Sequence, residues 1–180
     1  MLYAERDEAA RAAFLAEIAV IPPERLVYVD ESGIDHALRK THGWNKRGCI
    51  LFGERPGKYK HQRTSILAAL HHDGLKSPFA YDGYCNKDVV LTWVENILIP
   101  ELKPGQIVIM DNAPFHKAPA IRDAIEAAGC TLRFLPTYSP DINPIEPWWA
   151  PIKKLCAKLF PILIPQDAID YALNTYSYQC

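Results

Sequence analysis

The sequence has few cysteines, and they are widely separated. The five, Cys49, Cys85, Cys130, Cys156 and Cys180, form no C-x-x-C pair. A disulfide framework or a cysteine-ligated zinc site needs closely patterned cysteines, so neither is expected. This cysteine usage is typical of a reduced, cytoplasmic protein.

Long apolar runs, linkers and repeats are also missing. No segment approaches the roughly 20 apolar residues that cross a bilayer, so no membrane partner is expected. The acidic residues within MLYAERDEAARAAFLAEIAV distinguish this N-terminal stretch from a signal peptide. No stretch rich in Gly or Ser divides the chain. We therefore predict one domain over residues 1–180, with an N-terminal helix at about residues 5–20 that ends before Pro22 and Pro23.

The charge is nearly balanced overall but is unevenly distributed. The net charge is −1, which by itself indicates no nucleic-acid partner. Residues 39–63, however, carry eight basic side chains and a single acidic one, Glu54. Because Trp44, Phe52 and Tyr59 lie among them, this stretch is suited to follow a phosphate backbone and stack on bases. A solvated hairpin surface explains the same composition equally well.

Apolar runs and the residues that break them predict alternating strands and helices. RLVYVDES is predicted to be a buried strand ending at Asp30, and QIVIMDNAP a buried strand with Asp111 just past its end. The other predicted elements are strands at residues 43–52, 63–71 and 131–136 and helices at residues 86–98 and 117–128. The strand, helix, strand order in the second half predicts a right-handed crossover and a parallel pair.

A helix that carries Glu146 is predicted to start at Asn143. Asn143 is the predicted N-cap, a proline follows at the first helical position, and Glu146 lies three residues past the cap. The helix is expected to continue to about residue 159. Pro147 and Pro151 predict a kink or a short irregular start, because a proline inside a helix costs about 3 kcal/mol.

Asp30, Asp111 and Glu146 are the candidate metal ligands. Both aspartates are predicted at the carboxyl ends of strands, where open sheets bind ligands, and the Glu146 helix is predicted to lie across the same edge. Two carboxylates about 4 Å apart repel by roughly 4 kcal/mol at an effective dielectric constant of about 20, and Mg²⁺ or Mn²⁺ would relieve that repulsion. Each acid alone also has a structural explanation, as a turn residue, a cap or part of a capping box. The prediction therefore depends on all three together.

Three motifs surround these acids. They are VYVDESG around Asp30, IVIMDNAPFHK around Asp111, and LPTYSPDINPIEPWW around Glu146. Together they resemble the DDE catalytic domain of the mariner-like transposase superfamily, which includes bacterial insertion-sequence transposases. Thirty-four residues lie between Asp111 and Glu146, which is the spacing typical of that superfamily. The resemblance covers about residues 26–158.

The resemblance implies a fold, an activity and partners. The implied fold is α/β and ribonuclease H-like, with a mixed five-stranded sheet flanked by helices. Asp30, Asp111 and Glu146 are implied to be catalytic and to bind two Mg²⁺ or Mn²⁺ ions. The implied reactions are hydrolytic nicking at transposon ends and attack of the freed 3′ hydroxyl on target DNA. The implied partners are both of these DNAs and a second copy of the chain in the DNA complex, in the bacterial cytoplasm.

Other motif residues have structural explanations beside the functional ones. Asn112 and His116 are suited to orient a carboxylate or contact DNA, but a cap and a packed ring explain them as well. Trp149 matches an aromatic position of the family and is interpreted as a core residue rather than a base-stacking platform. The residues predicted to support the site are Asn112, His116 and Asn143. The candidate DNA contacts are Arg39, Lys40, Lys46, Arg47, Lys58, Lys60, Arg63, Lys153 and Lys154, for which solvated surface is the alternative.

Two features depart from the family pattern. The segment before Pro22 leaves no room for the helix-turn-helix modules that recognise transposon ends, so a separate helix-turn-helix protein or reading frame is an expected partner. Pro151 lies where the catalytic helix is expected to be unbroken. The alternatives are a catalytically inactive relic that only binds DNA, and a related metal-dependent nuclease without strand transfer.

Overall fold

A five-stranded sheet lies at the centre of the computed structural model, which describes residues 7–35, 46–48 and 63–177. The strands are β1 (Leu26–Asp35), β2 (Arg63–His71), β3 (Gly74–Asp82), β4 (Ile107–Met110) and β5 (Thr131–Phe134). The helices are α1 (Glu8–Ala19), α2 (Lys87–Trp93), α3 (Pro119–Ala127), α4 (Glu146–Leu159) and α5 (Pro165–Ser177). The strand order is β3-β2-β1-β4-β5.

The sheet is mixed, as predicted. β1, β2 and β3 are antiparallel neighbours, whereas β4 lies parallel to β1 and β5 lies parallel to β4. Two parallel neighbouring strands need a crossover connection. Between β4 and β5 the crossover includes α3. The continuous apolar sequence of β4 suits its position, since its side chains pack into the hydrophobic clusters on both faces.

Helices cover both faces of the sheet. On one face α1, α4 and α5 pack together, and Phe14 and Ile152 join Tyr28 of β1 in one hydrophobic cluster. On the other face α2 and α3 pack against the sheet, and Trp93 joins Val29 of β1 in a second cluster. Tyr28 and Val29 serve different clusters because successive side chains of a strand point to opposite faces.

Local signals explain where several helices start and stop. The Asp7 side chain accepts a backbone hydrogen bond and caps α1, and Asn86 caps α2 in the same way. After α2 the chain continues as a π turn, Val94–Leu98, and a 3-10 turn, Ile99–Glu101. Gly129 follows α3 with a φ of 74°, which is typical of a helix C-terminus. Within the described ranges no helix is long and apolar enough to cross a membrane.

Two results on the strands differ from the prediction. The strand predicted at residues 43–52 is wrong where the structure describes it, because residues 46–48 form no strand and Gly48 has a turn-like φ of 86°; the rest of that segment lies outside the described residues. The sheet also contains a strand that was not predicted, β3, which carries Pro78 and lies at the edge of the sheet. An edge strand tolerates proline because not every amide has to donate to a neighbour. The same proline interrupts the sequence pattern, which is why this strand was not predicted.

The prediction that β1 ends at Asp30 is wrong. β1 continues to Asp35 because β2 pairs with it along that whole length. The parallel pairing of β1 with β4 stops earlier, at Tyr28 opposite Ile109. Asp30 therefore lies inside β1 but just beyond the parallel part of the sheet.

α4 starts two residues later than predicted, with Glu146 rather than Pro144 as its first helical residue. The helix spans Glu146–Leu159, and no side chain caps its first turn, so Asn143 is not the N-cap. Asn143 instead follows a 3-10 turn, Pro140–Ile142, with extended backbone angles. Pro147 lies in the first turn, where its missing N–H has no intrahelical acceptor to lose. Pro151 lies inside the helix, which continues through it.

Candidate active site

Two carboxylates meet where the parallel part of the sheet ends. β1 and β4 are paired with Tyr28 opposite Ile109. Asp30 lies two residues after Tyr28 and Asp111 two residues after Ile109, so both lie just past the parallel pairing, and both line one cavity. Asp111 directly follows β4, as predicted.

Glu146 reaches the same place from a third element. Asp30, Asp111 and Glu146 all line one cavity of about 380 Å³, together with Asn112 and the loop at residues 135–140. Glu146 is exposed and begins α4. Because the helix starts at this residue, Glu146 is not the third residue of a capping box. The structural alternative for Glu146 is therefore not observed.

Asp30 is a buried acid with a perturbed pKa. It is 8% exposed, and its Oδ2 accepts a hydrogen bond from the Trp149 indole N–H at 2.7 Å. The pKa of Asp30 is raised to about 7: burial is the largest cause, the charges of Glu146 and Asp111 also raise the pKa, and the Trp149 hydrogen bond lowers it. Full ionisation of Asp30 near neutral pH therefore needs a positive charge close by.

Asp111 has the opposite electrostatic character. Its Oδ1 accepts hydrogen bonds from His116 Nδ1 and, at 3.0 Å, from the Ala113 amide. Burial raises the pKa of Asp111, but these hydrogen bonds outweigh burial and leave the pKa below its ordinary value. Its side chain is 46% exposed. Asp111 is therefore an ionised carboxylate that is partly open to the cavity.

His116 lies between Asp111 and a fourth acid, Glu31. The His116 side chain is 1% exposed, and its Nε2 lies 3.8 Å from Glu31 Oε2. Both atoms are buried without a hydrogen-bond partner. Burial raises the pKa of Glu31. Because Glu31 follows Asp30 in β1 and points to the opposite face, His116 connects that face of the sheet to the cavity.

The sequence predicts that Asp111 binds a divalent cation. On that prediction, replacing His116 by phenylalanine is expected to weaken Mn²⁺ binding by about 10- to 100-fold, the usual cost of losing a group that orients a metal ligand. The ring is kept, but Asp111 loses the hydrogen bond that favours its ionised form. The measurement is titration calorimetry of Mn²⁺, with the same change at exposed His72 as the matched control. Equal Mn²⁺ affinities for both variants would show that His116 only packs.

Comparison with protein families shows which family the chain belongs to. The profile of the family described as DDE superfamily endonuclease matches residues 25–162. This chain belongs to that family. The matched range contains Asp30, Asp111 and Glu146, the three acids of the cavity. A comparison with curated protein sequences finds no match.

Solved structures show the same fold as this DDE domain. The Mos1 transposase paired-end complex with left transposon end matches with a TM-score of 0.67 and 16% identity, over 99% of this chain and 64% of that one. The mariner Mos1 paired end complex with Mg matches with a TM-score of 0.64 and 17% identity, over 98% and 62%. The HTLV-2 integrase catalytic core domain in complex with magnesium matches with a TM-score of 0.56 and 15% identity, over 89% and 90%. The ribonuclease H-like fold predicted from the sequence is confirmed, and the chain spans less than two thirds of the length of the Mos1 chains.

The cavity of the DDE domain suits hard divalent cations. Its three carboxylates are oxygen ligands of the kind that Mg²⁺ and Mn²⁺ prefer, and Asn143 adds a buried Oδ1 without a hydrogen-bond partner. In the part of the chain that the structure describes, no three His, Cys, Asp or Glu residues lie close enough to form a ready metal cluster.

Of the other predicted site residues, some line this cavity and others lie elsewhere on the surface. Asn112 lines it. Lys153 and Lys154 are exposed on α4, the helix that starts with Glu146. Lys46 and Arg47 are also exposed. Arg39, Lys40, Lys58 and Lys60 lie outside the described residues.

Arg63 lies at the start of β2 and packs over two neighbours. Its guanidinium lies 5.6 Å from the centre of the exposed Tyr84 ring. The same guanidinium covers Gly33, where an added Cβ would lie 2.1 Å from Arg63 Nε. Glycine in the VDESG motif thus provides the space that Arg63 occupies. Arg63 and Tyr84 form an exposed cation–π pair, which suits contact with nucleic acid.

Sequence reasoning missed two contacts of the site. Trp149 is buried, as expected of a core residue, but its indole N–H also bonds Asp30. The spacing of three residues from Glu146, which places both side chains on one side of a helix, was the available signal. Arg11 of α1 makes a two-pronged pair with Asp141, at 3.0 and 2.7 Å, and so anchors the turn that precedes Glu146. No local pattern predicts that contact across 130 residues.

Proposed function

We propose that this chain is the catalytic domain of a transposase, which nicks DNA and joins the freed 3′ hydroxyl to target DNA. Asp30, Asp111 and Glu146 are its catalytic residues and bind two Mg²⁺ or Mn²⁺ ions. One observation carries the proposal: acids from β1, from the end of β4 and from the start of α4 line a single cavity in a chain that belongs to the DDE superfamily endonucleases.

Each of the three acids has a different proposed role at this cavity. Two bound ions would activate the attacking water or hydroxyl and stabilise the leaving oxygen of the phosphodiester. Asp111 offers a carboxylate that His116 and the Ala113 amide keep ionised. Asp30 offers a second carboxylate, whose burial makes it sensitive to a nearby cation. Glu146 stands exposed beside them, where a DNA backbone can approach.

The DNA partners are proposed from surface charge and from the relatives. Lys153 and Lys154 are exposed on the helix that begins with Glu146, so phosphates next to the cavity are within their reach. Lys46, Arg47 and Arg63 add exposed positive charge. The Mos1 structures are a paired-end complex with a transposon end and a strand transfer complex. By analogy, we propose that this chain binds transposon ends and target DNA and acts as a homodimer.

The main rival is a relic that binds DNA without cutting it. All three acids line one cavity in a chain that belongs to the DDE superfamily endonucleases, and this favours the enzyme. A related nuclease without strand transfer shares the same site. It differs only in what happens to the 3′ hydroxyl.

The experiment is a nicking assay on end-labelled duplex DNA with Mn²⁺, Mg²⁺ or a chelator. We expect nicks with 3′ hydroxyl ends in Mn²⁺ and none in the chelator. The Glu146→Gln variant tests whether the activity belongs to this chain. Its matched control is Glu126→Gln, which removes an exposed acid paired with Arg122 on α3. Binding of DNA without nicking would support the relic, and nicking without joined products would support the nuclease.

A further inference from the structure

A buried tryptophan connects two of the three acids. The Trp149 indole N–H donates to Asp30 Oδ2 at 2.7 Å, between residues 119 positions apart in the sequence. Trp149 is 4% exposed and Asp30 is 8% exposed, so water does not compete for this bond. Trp149 also lies one helical turn after Glu146 on α4. One side chain thus ties the first acid to the helix that carries the third.

The chemistry of the indole group makes this contact specific. An indole N–H donates and never accepts, and it carries no charge that would compete with a cation for the carboxylate. The indole N–H engages Oδ2 and so fixes the orientation of the Asp30 carboxylate plane. A hydrogen bond to an ionised carboxylate is also stronger than one between neutral groups.

We propose that Trp149 is a positioning residue for metal binding: it holds the orientation of the Asp30 carboxylate and keeps the start of α4, with Glu146, beside β1. This inference rests on the proposed function, since it assigns a role at the same cavity. Trp149 touches neither DNA nor the reacting atoms. Its effect reaches them through Asp30 and Glu146.

The fold contains a matched control for this role. Trp93 is fully buried, and its indole N–H donates to the Ser77 carbonyl at 2.9 Å, in the cluster on the other face of the sheet. Trp149→Phe and Trp93→Phe each remove one buried indole hydrogen bond and keep an aromatic ring. Only the first removes a partner of a proposed metal ligand.

The test measures Mn²⁺ affinity by titration calorimetry and thermal unfolding without metal. Both variants are expected to lower the metal-free Tm, because each leaves a buried acceptor without its donor. Trp149→Phe is expected to weaken Mn²⁺ binding by about 10- to 100-fold, whereas Trp93→Phe leaves it unchanged. Equal Mn²⁺ affinities for the two variants would overturn the positioning role. Absence of Mn²⁺ binding by the wild type would instead overturn the proposed function.

A second measurement needs no variant and covers the case in which Trp149→Phe does not fold. In the ¹⁵N-labelled wild type, the indole N–H resonance of Trp149 is expected to shift when Mg²⁺ is added, and that of Trp93 to stay in place. A Trp149 resonance that does not move while Mg²⁺ binds would contradict the proposal.

Discussion

Replacing Asp111 by asparagine is expected to abolish metal-dependent nicking of DNA. Asparagine keeps the shape of the side chain, and its oxygen can still accept hydrogen bonds from the Ala113 amide and His116, so the end of β4 is expected to stay folded. What disappears is the negative charge that a hard cation requires. Changes to groups that merely support a metal ligand cost about 10- to 100-fold, so loss of a ligand is expected to lower the nicking rate by more than about 100-fold.

The assay for this variant compares nicking rates on supercoiled plasmid in Mn²⁺ at equal protein concentrations. Asp123→Asn is the control, because it makes the same change on an exposed residue of α3. Thermal unfolding without metal shows whether each variant is folded. A folded Asp111→Asn protein that nicks at the wild-type rate would exclude Asp111 as a catalytic residue.

Replacing Asp30 by asparagine is expected to stabilise the metal-free protein and to reduce the stabilisation by Mn²⁺. In the unfolded chain the Asp30 carboxyl has an ordinary pKa of 3.8, whereas in the folded protein burial raises the pKa to about 7. Between these values the folded state binds more protons than the unfolded state. The free energy of unfolding therefore falls as the pH rises from about 4 to about 7, and it stays low at higher pH.

The expected size follows from the pKa difference of Asp30. About three pH units correspond to about 4 kcal/mol, or a Tm difference on the order of 10 °C for a chain of this size. The asparagine side chain cannot ionise, so Asp30→Asn is expected to melt higher than the wild type at pH 8 and at about the same temperature at pH 4. Its amide oxygen still accepts the Trp149 hydrogen bond, so packing of α4 is kept.

Differential scanning calorimetry from pH 4 to pH 8, with and without Mn²⁺, checks both parts. Mn²⁺ is expected to raise the wild-type Tm at pH 8, because binding to the folded state alone stabilises it. The gain is expected to shrink in Asp30→Asn. If both proteins show the same pH dependence of Tm and the same increase in Tm with Mn²⁺, then burial does not raise the pKa of Asp30 and Asp30 is not a metal ligand.

Much of the element order follows from local sequence. The apolar run of β4 between Gly105 and Pro114 predicts a strand buried on both faces, and β4 is one. Asn86 predicts the start of α2 because its side chain satisfies free amides there. β3 was not predicted because Pro78 interrupts the sequence pattern that identifies strands; the strand backbone is also irregular at Ser77, which has a positive φ. Its place at the sheet edge, which makes both tolerable, is a tertiary property.

The site divides in the same way. Asp30, Asp111 and Glu146 are recognisable from their motifs and from the spacing of the last two. A local rule predicts Asn143 as an N-cap, yet the helix starts later and its side chain lines the cavity instead. The local rule fails here because a distant contact fixes the 3-10 turn before Asn143: Arg11 of α1 donates a hydrogen bond to Asp141 in that turn.

The three acids, the motifs around them and most of the order of strands and helices can be predicted from residue type and spacing along the chain. The hydrogen bond from Trp149 to Asp30, the position of His116 between Asp111 and Glu31, and the burial of Asp30 are visible only in the folded protein. Such contacts depend on sheet register and on how α4 packs against β1, and these arise from the whole core rather than from any local pattern.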